Sequence, residues 1–154
     1  MALVFVLMMA LQAAPDPVLA GLTGRWEGDG MVLGQPSRLV LDWSWTLDGQ
    51  FLALDFRNDM GAGADQRRFE ARAFYRPTDG GGYRGTWVDN TGAIRPIEGR
   101  NDGGALVARW GTPDTEVGET TYRVLDDGRL EVVDRVRQAD GRWRTFGRSV
   151  LRKP

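Results

Sequence analysis

From Arg25 onward the chain alternates apolar and polar residues in short runs, and most runs end at a turn signal. Leu39, Leu41, Trp43, Trp45 and Leu47 alternate with Arg38, Val40, Asp42, Ser44 and Thr46, which gives an extended segment one apolar face. Phe69, Ala71, Ala73 and Tyr75 alternate with Arg68, Glu70, Arg72 and Phe74. Tyr83, Gly85 and Trp87 alternate with Arg84, Thr86 and Val88, and Leu106, Ala108 and Trp110 flank Val107 and Arg109. Leu130, Val132, Asp134 and Val136 alternate with Glu131, Val133, Arg135 and Arg137. The segments 51–57, 93–100 and 142–152 are extended in character, but their inward faces are ambiguous.

Asp48-Gly49, Gly80-Gly81-Gly82, Asn90-Thr91-Gly92, Asp102-Gly103-Gly104, Asp127-Gly128 and Asp140-Gly141 separate these runs. Such residues tolerate the positive φ that tight hairpins require. The pattern predicts about ten strands joined by hairpins, and only Pro17–Leu22 has the character of a helical turn. An open sheet of this kind leaves two unpaired edges, which closure removes. The expected fold is therefore all-β: a single antiparallel up-and-down barrel of about ten strands. A two-sheet sandwich is the alternative, although it generally needs longer crossovers than these turns supply.

At 154 residues the chain is sized for one domain. Its net charge of −1, with the signs mixed, gives no basis for nucleic-acid binding. It contains neither Cys nor His. Disulfides, thiolate chemistry and the commonest metal ligands are thus excluded, and no metal site or cofactor is expected. Catalysis would have to rest on Asp, Glu, Tyr, Arg or the single lysine, Lys153.

The first residues, MALVFVLMMALQAAPDP, form a short apolar run followed by small residues and two prolines. Residues 1–14 read as a signal peptide without the usual basic start, with cleavage after Ala13 or Ala14. The domain expected to remain is 15–154, exported to the periplasm or secreted, with no insertion of the mature chain in a membrane. A buried N-terminal strand or helix is the competing reading.

The stretch LTGRWEGDG carries a Gly-x-Trp triplet, Gly24 and Trp26, at the start of the first predicted strand. This resembles the signature of the calycin barrels: lipocalins, fatty-acid-binding proteins and nitrobindin-like proteins. The layout is most similar to nitrobindin and related bacterial domains, through Gly24–Gly30, LDGQFL (47–52), YRPTDGG (75–81) and RSVLRK (148–153). The resemblance implies that Trp26 plugs the closed end of the barrel and that a basic residue of the last strand, Arg148 or Arg152, packs across it. Gly28 and Gly30 continue the Trp26 face and permit close backbone approach. Haem-binding members carry an axial His where this chain has Phe146, so haem chemistry does not carry over. Tyrosinate ligation through Tyr75 or Tyr83 is the one exception.

If the apolar faces point inward, Leu41, Trp43, Trp45, Phe69, Tyr75, Tyr83, Trp87, Leu106 and Trp110 line the interior, with small Ala71, Ala73, Gly85 and Ala108 between them. Aromatic and small residues together suit an apolar ligand pocket, and they equally suit an ordinary core. Asp134 interrupts an apolar face, so it must be paired or protonated, and Arg123 or Arg148 is the expected partner. Gly61–Ala64 reads as a surface loop or a lid over the mouth. Three functions follow in order of preference. The first is a non-catalytic binding protein for a small lipophilic molecule. The second is a barrel enzyme using Tyr75, Tyr83 and Asp134, and the third is a packed-core interaction domain.

Overall fold

A computed structural model describes residues 16–154. The expected signal peptide at 1–14 lies outside the described residues. The rest is ten antiparallel strands closed into one barrel, in the order β1-β10-β9-β8-β7-β6-β5-β4-β3-β2. The strands are β1 (Gly24–Val32), β2 (Gln35–Thr46), β3 (Phe51–Met60), β4 (Arg67–Pro77), β5 (Gly82–Asp89), β6 (Ile94–Asp102), β7 (Ala105–Trp110), β8 (Gly118–Val124), β9 (Leu130–Arg137) and β10 (Trp143–Arg152). Every strand pairs with its neighbours in sequence, and β1 with β10 closes the ring, so no edge is left.

One short helix, α1 (Pro17–Leu22), precedes the barrel. Asp16 caps it by accepting from the amides of Val18 and Leu19, each at 3.0 Å, and Pro17 occupies the first turn, where a missing N–H costs nothing. The helix lies across the end where β1 begins. Leu19 and Leu22 are buried there against the core, and Trp26 donates from Nε1 to the Leu22 carbonyl at 2.7 Å. Tyr83 secures the cap by donating its hydroxyl to Asp16 Oδ1 at 2.9 Å. This is the closed end.

The cation over Trp26 is Lys153, 4.9 Å from the ring centroid. Arg148 instead faces outward and pairs with Glu131 at 2.9 Å. The reason is parity. Ser149 and Leu151 are the buried positions of β10, so Arg148 belongs to the opposite face. Gly28 and Gly30 lie where β1 meets β10: a Cβ on Gly28 would overlap the Val150 carbonyl oxygen, and one on Gly30 would overlap the Arg148 carbonyl oxygen and Ser149 Oγ.

The interior divides along the barrel axis. Nearest α1 are Trp26, Tyr83, Leu106, Leu130 and Leu151. The middle is filled by Trp43, which meets Tyr122 edge-on at 5.1 Å and Tyr75 at 5.4 Å. The other end, ringed by the turns 33–34, 61–66, 90–93, 111–117 and 138–142, is open.

Candidate functional site

The open half of the barrel contains a cavity of about 260 Å³. Its apolar wall is an aromatic cluster from β3, β4 and β5. Phe56 meets Phe69 at 6.0 Å and Trp87 at 5.3 Å, while Phe69 stacks on Trp87 at 6.2 Å. Trp110 of β7 also lines the cavity, and Val32 and Phe146 complete the wall from β1 and β10. Trp110 fits because its partner in the ladder is Gly118, where a Cβ would overlap the indole ring. Phe146 sits at the break in register between Thr145 and Gly147, and its carbonyl accepts from the Leu33 amide at 2.7 Å. Leu33 stands at the rim, 63% exposed and held at φ 52 in a two-residue turn.

Asp134 enters this cavity from β9, opposite Thr120 of β8 and Gly147 of β10. Gly147 makes the room, since a Cβ there would lie 2.9 Å from Asp134 Oδ2. Asp134 has neither of its expected arginine partners. Arg123 donates to the carbonyl oxygens of Gly103 and Asp102, and Arg148 is outside with Glu131. The carboxylate instead accepts from Thr120 Oγ1 at 2.7 Å, and Thr120 accepts from Trp110 Nε1 at 3.3 Å. Burial pushes the Asp134 carboxyl up to about 6, with the Thr120 hydrogen bond opposing. Asn58, 5% exposed, lines the same cavity, and its Oδ1 has no hydrogen-bond partner.

At the mouth, Arg95 binds Asp89 at 2.7 Å and lies 5.8 Å from the Trp110 ring centroid. Asp89 also accepts from Trp87 Nε1 at 3.0 Å and from Thr91. Burial acts to raise the Asp89 carboxyl, but these hydrogen bonds outweigh it and hold the group below the ordinary carboxylate range.

Of the candidates read from the sequence, Phe69, Trp87, Trp110 and Asp134 come together on the cavity. Leu41, Trp43, Tyr75 and Leu106 are fully buried in the packed part of the barrel, and Tyr83 serves the closed end. Trp45 is half-buried, paired with Leu52 toward the closed end. The inward face of 51–57, ambiguous in sequence, is Leu52, Leu54 and Phe56, and its next member is Asn58. The alternation continues to Asn58, which was the available signal. The loop at 61–66 contains a short 3-10 turn, Gly63–Asp65, beside the mouth.

A second polar cluster, unsuspected from the sequence, lies on the outer face. Glu119 of β8 is 1% exposed and is bound by Arg100 of β6, Arg109 of β7 and Arg135 of β9. Arg109 and Arg135 also stack over Trp143, at 5.7 and 5.0 Å from its ring centroid. Burial acts to raise the Glu119 carboxyl, but Arg100 and Arg135 outweigh it and hold the group low.

No protein-family model and no curated protein matches the chain. Among solved structures, the chain is similar to a de novo designed, fluorescence-activating beta barrel. The identity is 16% and the TM-score 0.48, over 90% of this chain and 99% of that one.

Proposed function

We propose that this chain is a binding protein for small lipophilic molecules, which it holds in the open half of the barrel and does not transform. The observation that carries the reading is the cavity of about 260 Å³, walled by Phe56, Phe69, Trp87 and Trp110 and open at one end. A fully packed domain has no such space, because interiors close to crystal density leave few voids larger than a water molecule. The volume lies just below the usual range of about 300–1,000 Å³ for ligand sites and fits a molecule of one or two rings better than a long-chain lipid.

Binding is preferred to catalysis because both tyrosines that a barrel enzyme would use are elsewhere. Burial raises the Tyr75 and Tyr83 hydroxyls, which makes them poor acids, and neither lines the cavity. The calycin reading belongs to the same proposal. It is supported by the up-and-down topology, by Trp26 at the end closed by α1, and by the Lys153 cation over its ring. Export to the periplasm or beyond rests on the expected leader at 1–14, and N-terminal mapping of the native protein near Ala14 or Pro15 tests it.

Titration calorimetry with a neutral aromatic such as indole tests the binding reading. It should bind once per chain, and Phe69→Ala or Trp110→Ala should weaken it several-fold. If neither indole nor any other apolar probe binds the folded protein, the cavity is not a ligand site.

A further inference from the structure

The indole and hydroxyl donors of the cavity are committed within the chain. Its two indole N–H groups are already used within the chain, Trp87 by Asp89 and Trp110 by Thr120. The Thr120 hydroxyl proton is used as well, on Asp134 Oδ1. Two acceptors are left without a donor. Asp134 Oδ2 receives no hydrogen bond from the described residues, and Asn58 Oδ1 is buried without a partner. A buried acceptor left unpaired is costly, so a site of this kind is completed by a molecule that brings donors.

Charge points the same way. Three carboxylates line the cavity, those of Asp89, Glu116 and Asp134, against one guanidinium, Arg95, which Asp89 already neutralises. No basic group among the described residues pairs with Asp134. Aromatic faces attract a cation, and Phe69, Trp87 and Trp110 line the same cavity as Asp134.

We infer that the ligand of this cavity is a small aromatic or aliphatic amine, its ammonium bound to Asp134 and its apolar body against Phe56, Phe69 and Trp87. The inference rests on the binding reading above and names its ligand class. Gly147 and Thr120 are then positioning elements: one leaves space for the carboxylate, and the other orients Oδ1 so that Oδ2 faces the ligand.

The test compares three probes of one shape by calorimetry on the full chain: 2-phenylethylamine, 2-phenylethanol and phenylacetate. The amine should bind about tenfold or more tightly than the alcohol, and the acid most weakly. Asp134→Asn, nearly isosteric, should remove the advantage of the amine and leave the alcohol unchanged. Lowering the pH through about 6 on the unsubstituted protein gives the same answer without a mutation, since protonating Asp134 should weaken the amine and spare the alcohol. The groups facing Asp134 do not confuse that titration. The hydroxyls of Tyr75 and Tyr122 are raised by burial, Asp89 is held low, and Thr120 does not titrate. Glu116 at the rim is controlled by Glu116→Gln, which should leave the pH dependence in place. Equal binding of amine and alcohol, or tightest binding of the acid, overturns the amine inference while leaving a lipophilic site intact. Failure of all three probes defeats the binding reading itself.

Discussion

Lys153 Nζ lies 4.9 Å from the centroid of the Trp26 ring and donates to the Thr23 carbonyl at 3.0 Å, so the residue after β10 ties down the junction between α1 and β1. Trp26 is 2% exposed and also bonds to Leu22. Trp26→Ala should therefore cost about 3–5 kcal/mol in denaturant unfolding, the range for deleting a buried large aromatic. Lys153→Ala should cost only about 0.5–1 kcal/mol, the worth of an exposed cation over a ring. Neither should alter ligand affinity, because both act at the closed end.

Glu119 holds three arginines from three strands, and its own pairing depends on its charge. Glu119→Gln should destabilise by about 1–2 kcal/mol, discounted from fully buried pairs because the arginines are half-exposed. The folded carboxyl titrates below its unfolded value. Its contribution is thus present above the ordinary Glu range and lost as the pH falls through the folded pKa. Acid unfolding monitored by near-UV circular dichroism should show the Gln variant losing less stability than the unsubstituted protein between pH 5 and 3, a window set by the ordinary Glu pKa of about 4.3.

Asp134 has the opposite sign. Its folded pKa of about 6 stands above the unfolded value of 3.8, so the native state holds an extra proton between them. Stability should fall as the pH rises through that window. Asp134→Asn should stabilise the protein at pH 7.5 by up to about 3 kcal/mol and have little effect at pH 4. Urea unfolding at the two pH values measures this.

Gly118 shapes the cavity through Trp110. Gly118→Ala should displace the indole at a cost of about 1–3 kcal/mol, the range for overpacking. Its readout is a shift in Trp110 emission with loss of probe binding, against Gly128→Ala in the β8–β9 turn at the closed end, which should leave binding unchanged.

The architecture was legible because period-two alternation and Asp-Gly turns are local, and a closed meander is the way to bury ten such faces without an edge. Depth along the barrel was not legible. Alternation says that Trp43 and Trp87 both point inward, but only register and closure put Trp43 in the packed middle and Trp87 on the cavity. Arg148 was misplaced because its strand carries large residues on both faces. Asp134 was found as a break in an apolar face, yet its partner, Thr120, is a cross-strand contact that no spacing reveals. The gathering of Arg100, Arg109 and Arg135 on Glu119 was hidden for the same reason.

The most direct measurement of the central claim, a ligand cavity in the open half, is the ¹⁵N–¹H spectrum of the indole groups during titration with 2-phenylethanol. Six tryptophans report separately: two on the cavity, the rest in the packed interior or on the outer face. The resonances of Trp87 and Trp110 should shift together and saturate at one ligand per chain, while those of Trp26 and Trp143 stay in place. No saturable shift at Trp87 and Trp110, or equal shifts at all six, would contradict the account.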